Sequence, residues 1–447
     1  MKRHEGHKEE VYFSSTLIGL RYLVGFREGM SNFQKSRNQF RQNLYVPQSM
    51  TTPIKVTLGQ SKKQNQENNP TSPFSITGAE VILGKKIQTE ISTPVIPSAV
   101  EMFGPRGACL VSSGLWVADT GHHRLLGWKS IPTRDSQPAD WVIGQPDFFQ
   151  EGQNAKTTPG RTTLNVPTGI CGCGEGLAVA DAWNHRVLIW KKVPEDNNVP
   201  ADLVLGQANF NDCQANRGQQ TPTATSLNWC YGIFYHQGKL FVADTGNRRV
   251  LIWNELPSEN GQPADLVLGQ PDMISRNENG GDSPSASSMR WCHDITFWKE
   301  NLVITDAGNN RVMIWEGMPT ENNLPCVAVL GQKNFNLVEL NQGVYFPNPS
   351  SLSMPYGIDT IDDWLIVADT ANSRLLGWRK PDILQSLIGK DADVLAGQYD
   401  FYSKGENRDF KLPKRDSVDW CYGIKIYGNT AIISDSGNNR ILLWKMH

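Results

Sequence analysis

The hydrophobic residues of this chain recur in short runs that are separated by turn residues. One stretch holds YGIFYH around Ile233, KLFVAD before Thr245, RVLIW ending at Trp253 and ADLVLGQ around Leu268. All four runs are rich in β-branched and aromatic residues, which favours strands over helices. The pattern therefore predicts a unit of four short strands.

This unit occurs six times along the chain. Its copies contain VADTGHHRLLGW at Val117, VADAWNHRVLIW at Val179, VADTGNRRVLIW at Val242, ITDAGNNRVMIW at Ile304, VADTANSRLLGW at Val367 and ISDSGNNRILLW at Ile433. Their aspartates are separated by 62, 63, 62, 63 and 66 residues. A fixed period of this kind indicates a repeat architecture, and four strands per unit are typical of a propeller blade. The sequence thus predicts an all-β fold, a six-bladed β-propeller with four-stranded blades.

The fourth strand of the last blade has to come from elsewhere in the chain. The motif of that strand (VIGQ, VLGQ or LAGQ) follows only five blades, and the sixth copy ends at Trp444, three residues before the C-terminus. AEVILGKK has the same pattern, and its Gly84 lies 60 residues before Gly144. KVTLGQ at residues 55–60 fits the period poorly. We therefore predict that an N-terminal strand at residues 79–86 closes the ring and leaves no unpaired terminal blade.

Each copy contains a predicted tight turn, DTGN in the third, between its second and third strands. The Asp side chain is expected to accept a hydrogen bond from the backbone two residues on, and Gly and Asn tolerate positive φ. The Asp and the Arg five positions later are expected to form a charge-assisted pair, while the terminal Trp packs against an adjoining blade. These structural pairs are Asp119 and Arg124, Asp181 and Arg186, Asp244 and Arg249, Asp306 and Arg311, Asp369 and Arg374, and Asp435 and Arg440.

These six copies closely resemble the NHL repeat over roughly residues 79–447. The resemblance implies a propeller fold. For function it implies a range, from RNA-binding and protein-binding modules to a few relatives with lyase or hydrolase activity. The repeat here is longer than the usual NHL unit, and its extra length lies between one blade's fourth strand and the next blade's first, as in DFFQEGQNAKTTPGRTTLNVP. Those loops share a face with the DTGN turns, and we predict that this face binds partners.

A second group of candidate residues stands where the loops enter the innermost strands. Three blades carry Trp-Cys there, and the others carry Pro105, Pro167 or Pro355 at the cysteine position. Trp can pack between blades with Cys as a small buried residue, or the aromatic residues can form a rim that grips a partner. The candidate binding residues are Trp229, Tyr231, Trp291, His293, Trp420 and Tyr422. Cys230, Cys292, Cys421 and His293 are weak candidates for a metal site, since they come from different blades.

The composition of the chain supports two further predictions, one about its cellular compartment and one about its N-terminal region. The formal charge of −2 gives no general attraction to nucleic acid or membrane, and eight scattered cysteines favour a reducing, cytoplasmic setting. Residues 1–78 hold eleven Lys and Arg against five Asp and Glu and are rich in Gln, Asn and Ser. We expect a flexible, polar and basic extension there, with Met30 as an alternative start, ahead of the propeller at residues 79–447. Its one apolar patch is too short to span a bilayer.

The sequence contains no phosphate-binding loop, zincin helix or nucleophile elbow. His122, His123 and His185 are interpreted as turn residues, so we predict no catalytic residue and no cofactor. The favoured function is a monomeric scaffold that binds a protein partner through the loop-rich face, as in the assembly of a larger complex. The alternatives are a propeller that binds single-stranded RNA, and a metal-dependent lyase or hydrolase that uses the central channel.

Overall fold

The fold consists of strands joined by tight turns, as a computed structural model of the chain shows for residues 72–84, 95–112, 114–410 and 412–447. In this part of the chain the strands form six four-stranded antiparallel sheets. Each innermost strand contacts the innermost strands of both neighbouring sheets, so the six surround a central channel. The predicted all-β, six-bladed propeller is confirmed. No helix in the described ranges is long and apolar enough to cross a bilayer.

The strands follow the chain blade by blade. The first is β1 (Phe74–Gly84). Blades one to three comprise β2 (Gly107–Val111), β3 (Gly114–Asp119), β4 (Arg124–Trp128), β5 (Trp141–Ile143), β6 (Pro167–Cys173), β7 (Gly176–Asp181), β8 (Arg186–Trp190), β9 (Leu203–Leu205), β10 (Ile233–His236), β11 (Lys239–Asp244), β12 (Arg249–Trp253) and β13 (Leu266–Leu268). Blades four to six comprise β14 (Cys292–Trp298), β15 (Asn301–Asp306), β16 (Arg311–Ile314), β17 (Ala328–Leu330), β18 (Pro355–Ile361), β19 (Trp364–Asp369), β20 (Arg374–Arg379), β21 (Val394–Ala396), β22 (Cys421–Tyr427), β23 (Thr430–Asp435) and β24 (Arg440–Met446).

The N-terminal strand β1 closes the ring, as predicted. It pairs antiparallel with β24, with Val81 opposite Leu443 and Leu83 opposite Ile441. The strand begins at Phe74, five residues before the start expected from the motif. The predicted flexible extension up to residue 71 and the rival strand at residues 55–60 lie outside the described residues.

The hydrophobic core lies between blades, in six clusters that each join two neighbours. One cluster, for example, contains Trp253 of blade three together with Val187 and Ile189 of blade two. The innermost strands approach so closely that a Cβ on Gly232 would lie 2.0 Å from the carbonyl oxygen of His293. Glycine therefore permits the tight inner ring.

Candidate binding face and central channel

The carboxylate of each turn aspartate is buried and hydrogen-bonded on both oxygens. In blade three, Oδ2 of Asp244 accepts from Nε of Arg249 at 2.8 Å and from the Asn247 amide at 2.8 Å. Its Oδ1 accepts from the backbone N–H of Asn228 at 2.7 Å. The same Arg–Asp contact, 2.6 to 2.9 Å long, is present in all six blades. Removing one partner of such a buried pair typically costs about 3–5 kcal/mol.

The turn geometry predicted for DTGN is wrong in two details. Residues 245–247 form one 3₁₀ turn, and Asp244 does not cap it, because its carboxylate is used by Arg249 across the hairpin. The residue in the left-handed region is Arg248, with φ of 61°, rather than the Gly or the Asn. Equivalent residues in the other blades are also left-handed: His123, His185, Asn310, Ser373 and Asn439.

The long loops between blades are fixed at their base by a recurring pair of asparagines. In each of five loops an asparagine side chain hydrogen-bonds the asparagine of the neighbouring turn, over 2.7 to 3.1 Å. These pairs are Asn154 and Asn184, Asn216 and Asn247, Asn279 and Asn309, Asn341 and Asn372, and Asn407 and Asn438. The pairs place the loops over the turns, on the face that was predicted to carry them. In blade one His122 takes the turn position and contacts Asp119 at 2.8 Å.

The turn arginines tie the same loops to the blades. The guanidinium of Arg249 donates to the carbonyl oxygens of Thr223 and Ser226 in the loop before its blade, at 2.9 and 3.1 Å. It also donates to the carbonyl oxygen of Met273 in the loop after it. Each loop therefore has a fixed base below its exposed side chains.

His123 and His185, interpreted from sequence as turn residues, also join neighbouring blades. Nδ1 of His185 accepts the backbone N–H of Trp229 at 2.9 Å, and Nδ1 of His123 accepts that of Val166 at 3.0 Å. Burial lowers the pKa of both imidazoles to about 4. Each is therefore neutral near pH 7, as an accepting nitrogen requires.

The channel is closed at the loop-rich face by a ring of five side chains. Nη1 of Arg106 donates to the Tyr231 hydroxyl at 3.1 Å, and the ring centroids of Tyr231 and His293 lie 4.7 Å apart. His293 stacks on Tyr356 at 4.2 Å, and Tyr356 on Tyr422 at 4.5 Å. Arg106 completes the circle 4.5 Å above the Tyr422 ring. The structure thus brings three predicted rim residues together with two that we did not single out.

Arg106 and Tyr356 could have been identified from the sequence. They follow Pro105 and Pro355, which align with the cysteines that precede the predicted Tyr231 and Tyr422. Extending that alignment by one residue would have found them.

The three cysteines of the Trp-Cys motif lie between blades rather than in the channel. Their thiols donate to the backbone carbonyl oxygens of Arg186, Arg249 and Arg374 in the preceding blade. Burial raises the pKa of all three well above the usual thiol value. They belong to three separate core clusters, so the structure does not bring Cys230, Cys292, Cys421 and His293 together. Within the described ranges no three His, Cys, Asp or Glu side chains are grouped to hold a metal ion.

The rim tryptophans are partly exposed on the loop-rich face. Trp229 and Trp291 each keep 36% of their surface exposed, and Trp420 is half-buried. Trp229 packs edge-on against Tyr231, with the ring centroids 5.5 Å apart, and Arg290 lies 5.7 Å above Trp291. The six predicted binding residues therefore form an outer tryptophan set and part of the central ring.

More strongly exposed side chains lie on two adjacent loops of this face, those before and after blade five. We call the following six residues, which are 46 to 66% exposed, the aromatic patch: Tyr345, Phe346, Tyr399, Tyr402, Phe410 and Leu412. Lys404 joins the two loops, since its Nζ lies 4.0 Å above the Tyr345 ring and donates to the Tyr345 carbonyl oxygen at 3.3 Å. Sequence reasoning missed this patch, although VYFP and YDFY are plainly aromatic in otherwise polar loops.

Fold and site together define a six-bladed β-propeller whose loop-rich face is fixed at its base and closed at its centre. No family model and no curated protein matches the chain, so membership of the NHL-repeat family stays a prediction. Hydrazine synthase from Kuenenia stuttgartiensis is similar at 10% identity, over 81% of this chain and 99% of that one, with a TM-score of 0.44.

Two further solved structures are similar at a comparable level. Virginiamycin B lyase from Staphylococcus aureus is 11% identical over 79% of this chain and 98% of that one, with a TM-score of 0.38. The computationally designed Ika8 protein is 9% identical over 82% and 99%, with a TM-score of 0.36. None of these likenesses bears on the activity of this chain.

Proposed function

We propose that this propeller is a non-catalytic scaffold that binds a protein partner through its loop-rich face, in the assembly of a larger complex. The observation that carries the proposal is the aromatic patch, in which six large apolar side chains remain exposed on loops whose bases are fixed. Exposed apolar groups that cluster on one face are typical of interaction sites.

The way the loops are held favours tight binding by a rigid surface. Because Asn341 and Asn407 fix the loop bases through Asn372 and Asn438, little ordering entropy remains to be lost when a partner docks. Tyr and Trp are also the side chains that most often dominate binding energy at protein interfaces. The patch and the rim tryptophans therefore supply candidate anchor residues on one preformed surface.

The charge of the patch favours a protein over single-stranded RNA. Residues 399–417 contain five basic and four acidic residues, so no strong positive potential is available for a phosphate backbone. Three arginines elsewhere on the face already have partners. Arg217 and Arg276 donate to backbone carbonyl oxygens, and Arg290 pairs with Glu278 at 3.1 Å. RNA remains the alternative that the experiment below separates.

Affinity capture with matched variants tests the proposal. Three tagged proteins are incubated with native extract, with and without nuclease treatment: the wild type, Tyr345→Ala/Tyr402→Ala and Trp229→Ala/Trp291→Ala/Trp420→Ala. Ile383→Ala is the control, since this side chain is 65% exposed but lies between β20 and β21, on the opposite face. We expect one set of proteins to be retained by the wild type and the control and lost from the face variants.

Two results would contradict the proposal. Equal capture by the wild type and both folded face variants would show that neither the patch nor the rim tryptophans bind the partner. Capture that disappears on nuclease treatment would favour RNA. Thermal denaturation of each variant checks that the ring remains folded.

A further inference from the structure

The channel opens into a cavity at the face opposite the long loops. Its volume is about 510 Å³, within the roughly 300–1,000 Å³ typical of small-molecule sites. Residues from the inner strands of all six blades line it. About 50 Å³ of space lies beside the side-chain ring at the other end of the channel.

One side of the cavity is an aromatic wall. His236 stacks on Phe297 with the ring centroids 4.2 Å apart and an interplanar angle of 17°. Phe234 lies 6.3 Å from Phe297, and Tyr427 also lines the space. Such a wall suits a flat apolar group.

Beside this wall, Thr296, Asp359 and Lys425 make the lining polar, and its hydrogen-bond donors are already used. The ammonium of Lys425 donates to both oxygens of Asp294 at 3.0 Å and to the Ile358 carbonyl oxygen at 3.1 Å. An ammonium group has three N–H bonds, so none is left for a ligand. The hydroxyl of Thr296 donates to Oδ1 of Asp359 at 3.0 Å. The polar groups of Lys425, Thr296 and Asp359 therefore offer a ligand acceptor oxygens rather than N–H or O–H donors.

The principal free acceptor is the carboxylate of Asp359. Its Oδ2 accepts the backbone N–H of Ile426 at 2.6 Å, and the backbone N–H of Thr360 and the charge of Lys425 also interact with this carboxyl group. A carboxylate has about four acceptor sites, so one remains for a ligand. Asp359 forms no salt bridge in the part of the chain that the structure describes, because Lys425 is paired with Asp294. Lys299 is likewise paired with Asp363 at 3.3 Å, so among the described residues that line the cavity the carboxyl groups of Asp359 and Asp362 have no salt-bridge partner.

We propose that this cavity binds a small organic cation with a flat apolar body, such as an arylalkyl ammonium ion. The ammonium group donates to Asp359, and the flat body packs against His236 and Phe297. A carboxylate beside aromatic faces is the combination that stabilises a partly desolvated cation. The site is independent of the loop-rich face, so its failure would leave the proposed protein-binding function untouched.

A charge series on one ring system tests the proposal with the full-length chain. Isothermal titration calorimetry compares tryptamine, its neutral analogue tryptophol and the anion indole-3-propionate. We expect saturable binding of tryptamine at one site per chain, with binding of the other two about tenfold weaker or more, because only the ammonium forms a charged hydrogen bond. No saturable binding of tryptamine, or equal binding of all three, would overturn the proposal.

Two variants locate the site. Asp359→Asn should weaken tryptamine binding about tenfold or more while leaving tryptophol binding nearly unchanged. Asp391→Asn is the control, because it removes an exposed carboxylate outside the cavity. Should Asp359→Asn fail to fold, His236→Ala replaces it, since this half-exposed ring contributes to the wall and binding of all indoles should fall. Tryptamine affinity equal to wild type in a folded cavity variant would place the binding elsewhere.

Discussion

At the scale of single residues, the left-handed position after each turn decides how neighbouring blades are joined. His123, His185, Asn310, Ser373 and Asn439 all accept a backbone N–H from the next blade. Arg248 cannot accept one, and in that blade the N–H of Trp291 bonds Asp306 instead. The shared requirement is a short side chain with an acceptor atom that tolerates positive φ.

The two histidines at this position should make the fold sensitive to acid. Their pKa values are lowered from 6.5 to about 4, so their contribution to stability is complete above pH 6.5 and is lost as the pH falls toward 4. Asparagine, which blades four and six use here, keeps the acceptor and does not titrate. In His123→Asn/His185→Asn we expect the melting temperature to fall less steeply than in the wild type between pH 6.5 and 4. An equally steep fall of the melting temperature in the variant and the wild type across that pH range would refute this role.

At the scale of secondary-structure elements, β1 repeats contacts that the outer strands of the other blades make. The backbone N–H of Ile82 donates to Asp135 in the neighbouring blade at 3.0 Å, as Val142, Val204 and Val267 do to Asn197, Asn260 and Asn322. The indole of Trp444 donates to the Ser75 carbonyl oxygen at 2.8 Å, whereas in the other blades the equivalent indole bonds the hairpin that follows it. In blade six the N-terminal segment thus takes the place of the fourth strand and of the hairpin that precedes that strand in the other blades.

Two substitutions within β1 test its part in ring closure. Leu83 is fully buried between blades six and one, whereas Ile76 in the same strand is 95% exposed. Leu83→Ala should lower the free energy of unfolding by about 2–5 kcal/mol, and Ile76→Ala by no more than about 0.5 kcal/mol. Chemical denaturation of the two variants measures this difference. A similar small loss for both would mean that β1 adds little to closure.

The blades and their closing strand could be predicted because the same residue types recur at a nearly constant spacing. The loop asparagines Asn154, Asn216, Asn279, Asn341 and Asn407 also recur in step with the turns, but the variable residues around them hide the pattern. The turn geometry could not be predicted, because Asp244 has partners on three different segments. The repeat alignment can identify the residues of the central ring. It cannot predict contacts between them such as that of Arg106 with Tyr231, which lies 125 residues away in the sequence.

At the scale of the whole molecule, the propeller presents two faces with different chemistry. The loop-rich face carries the aromatic patch and is closed at its centre by the side-chain ring. The opposite face opens into the cavity that contains Asp359 and Lys425. A rigid ring with a closed centre allows a macromolecule to dock on one face while a small ligand enters from the other.

Site-specific photo-crosslinking in cells tests the central claim, protein binding through the loop-rich face, most directly. Benzoylphenylalanine replaces Tyr402 in the aromatic patch, or Ile383 on the opposite face as the control, since both positions are more than 60% exposed. The account predicts a defined protein crosslink from position 402 and none from position 383. Crosslinks to RNA from position 402, or the same protein products from both positions, would contradict it.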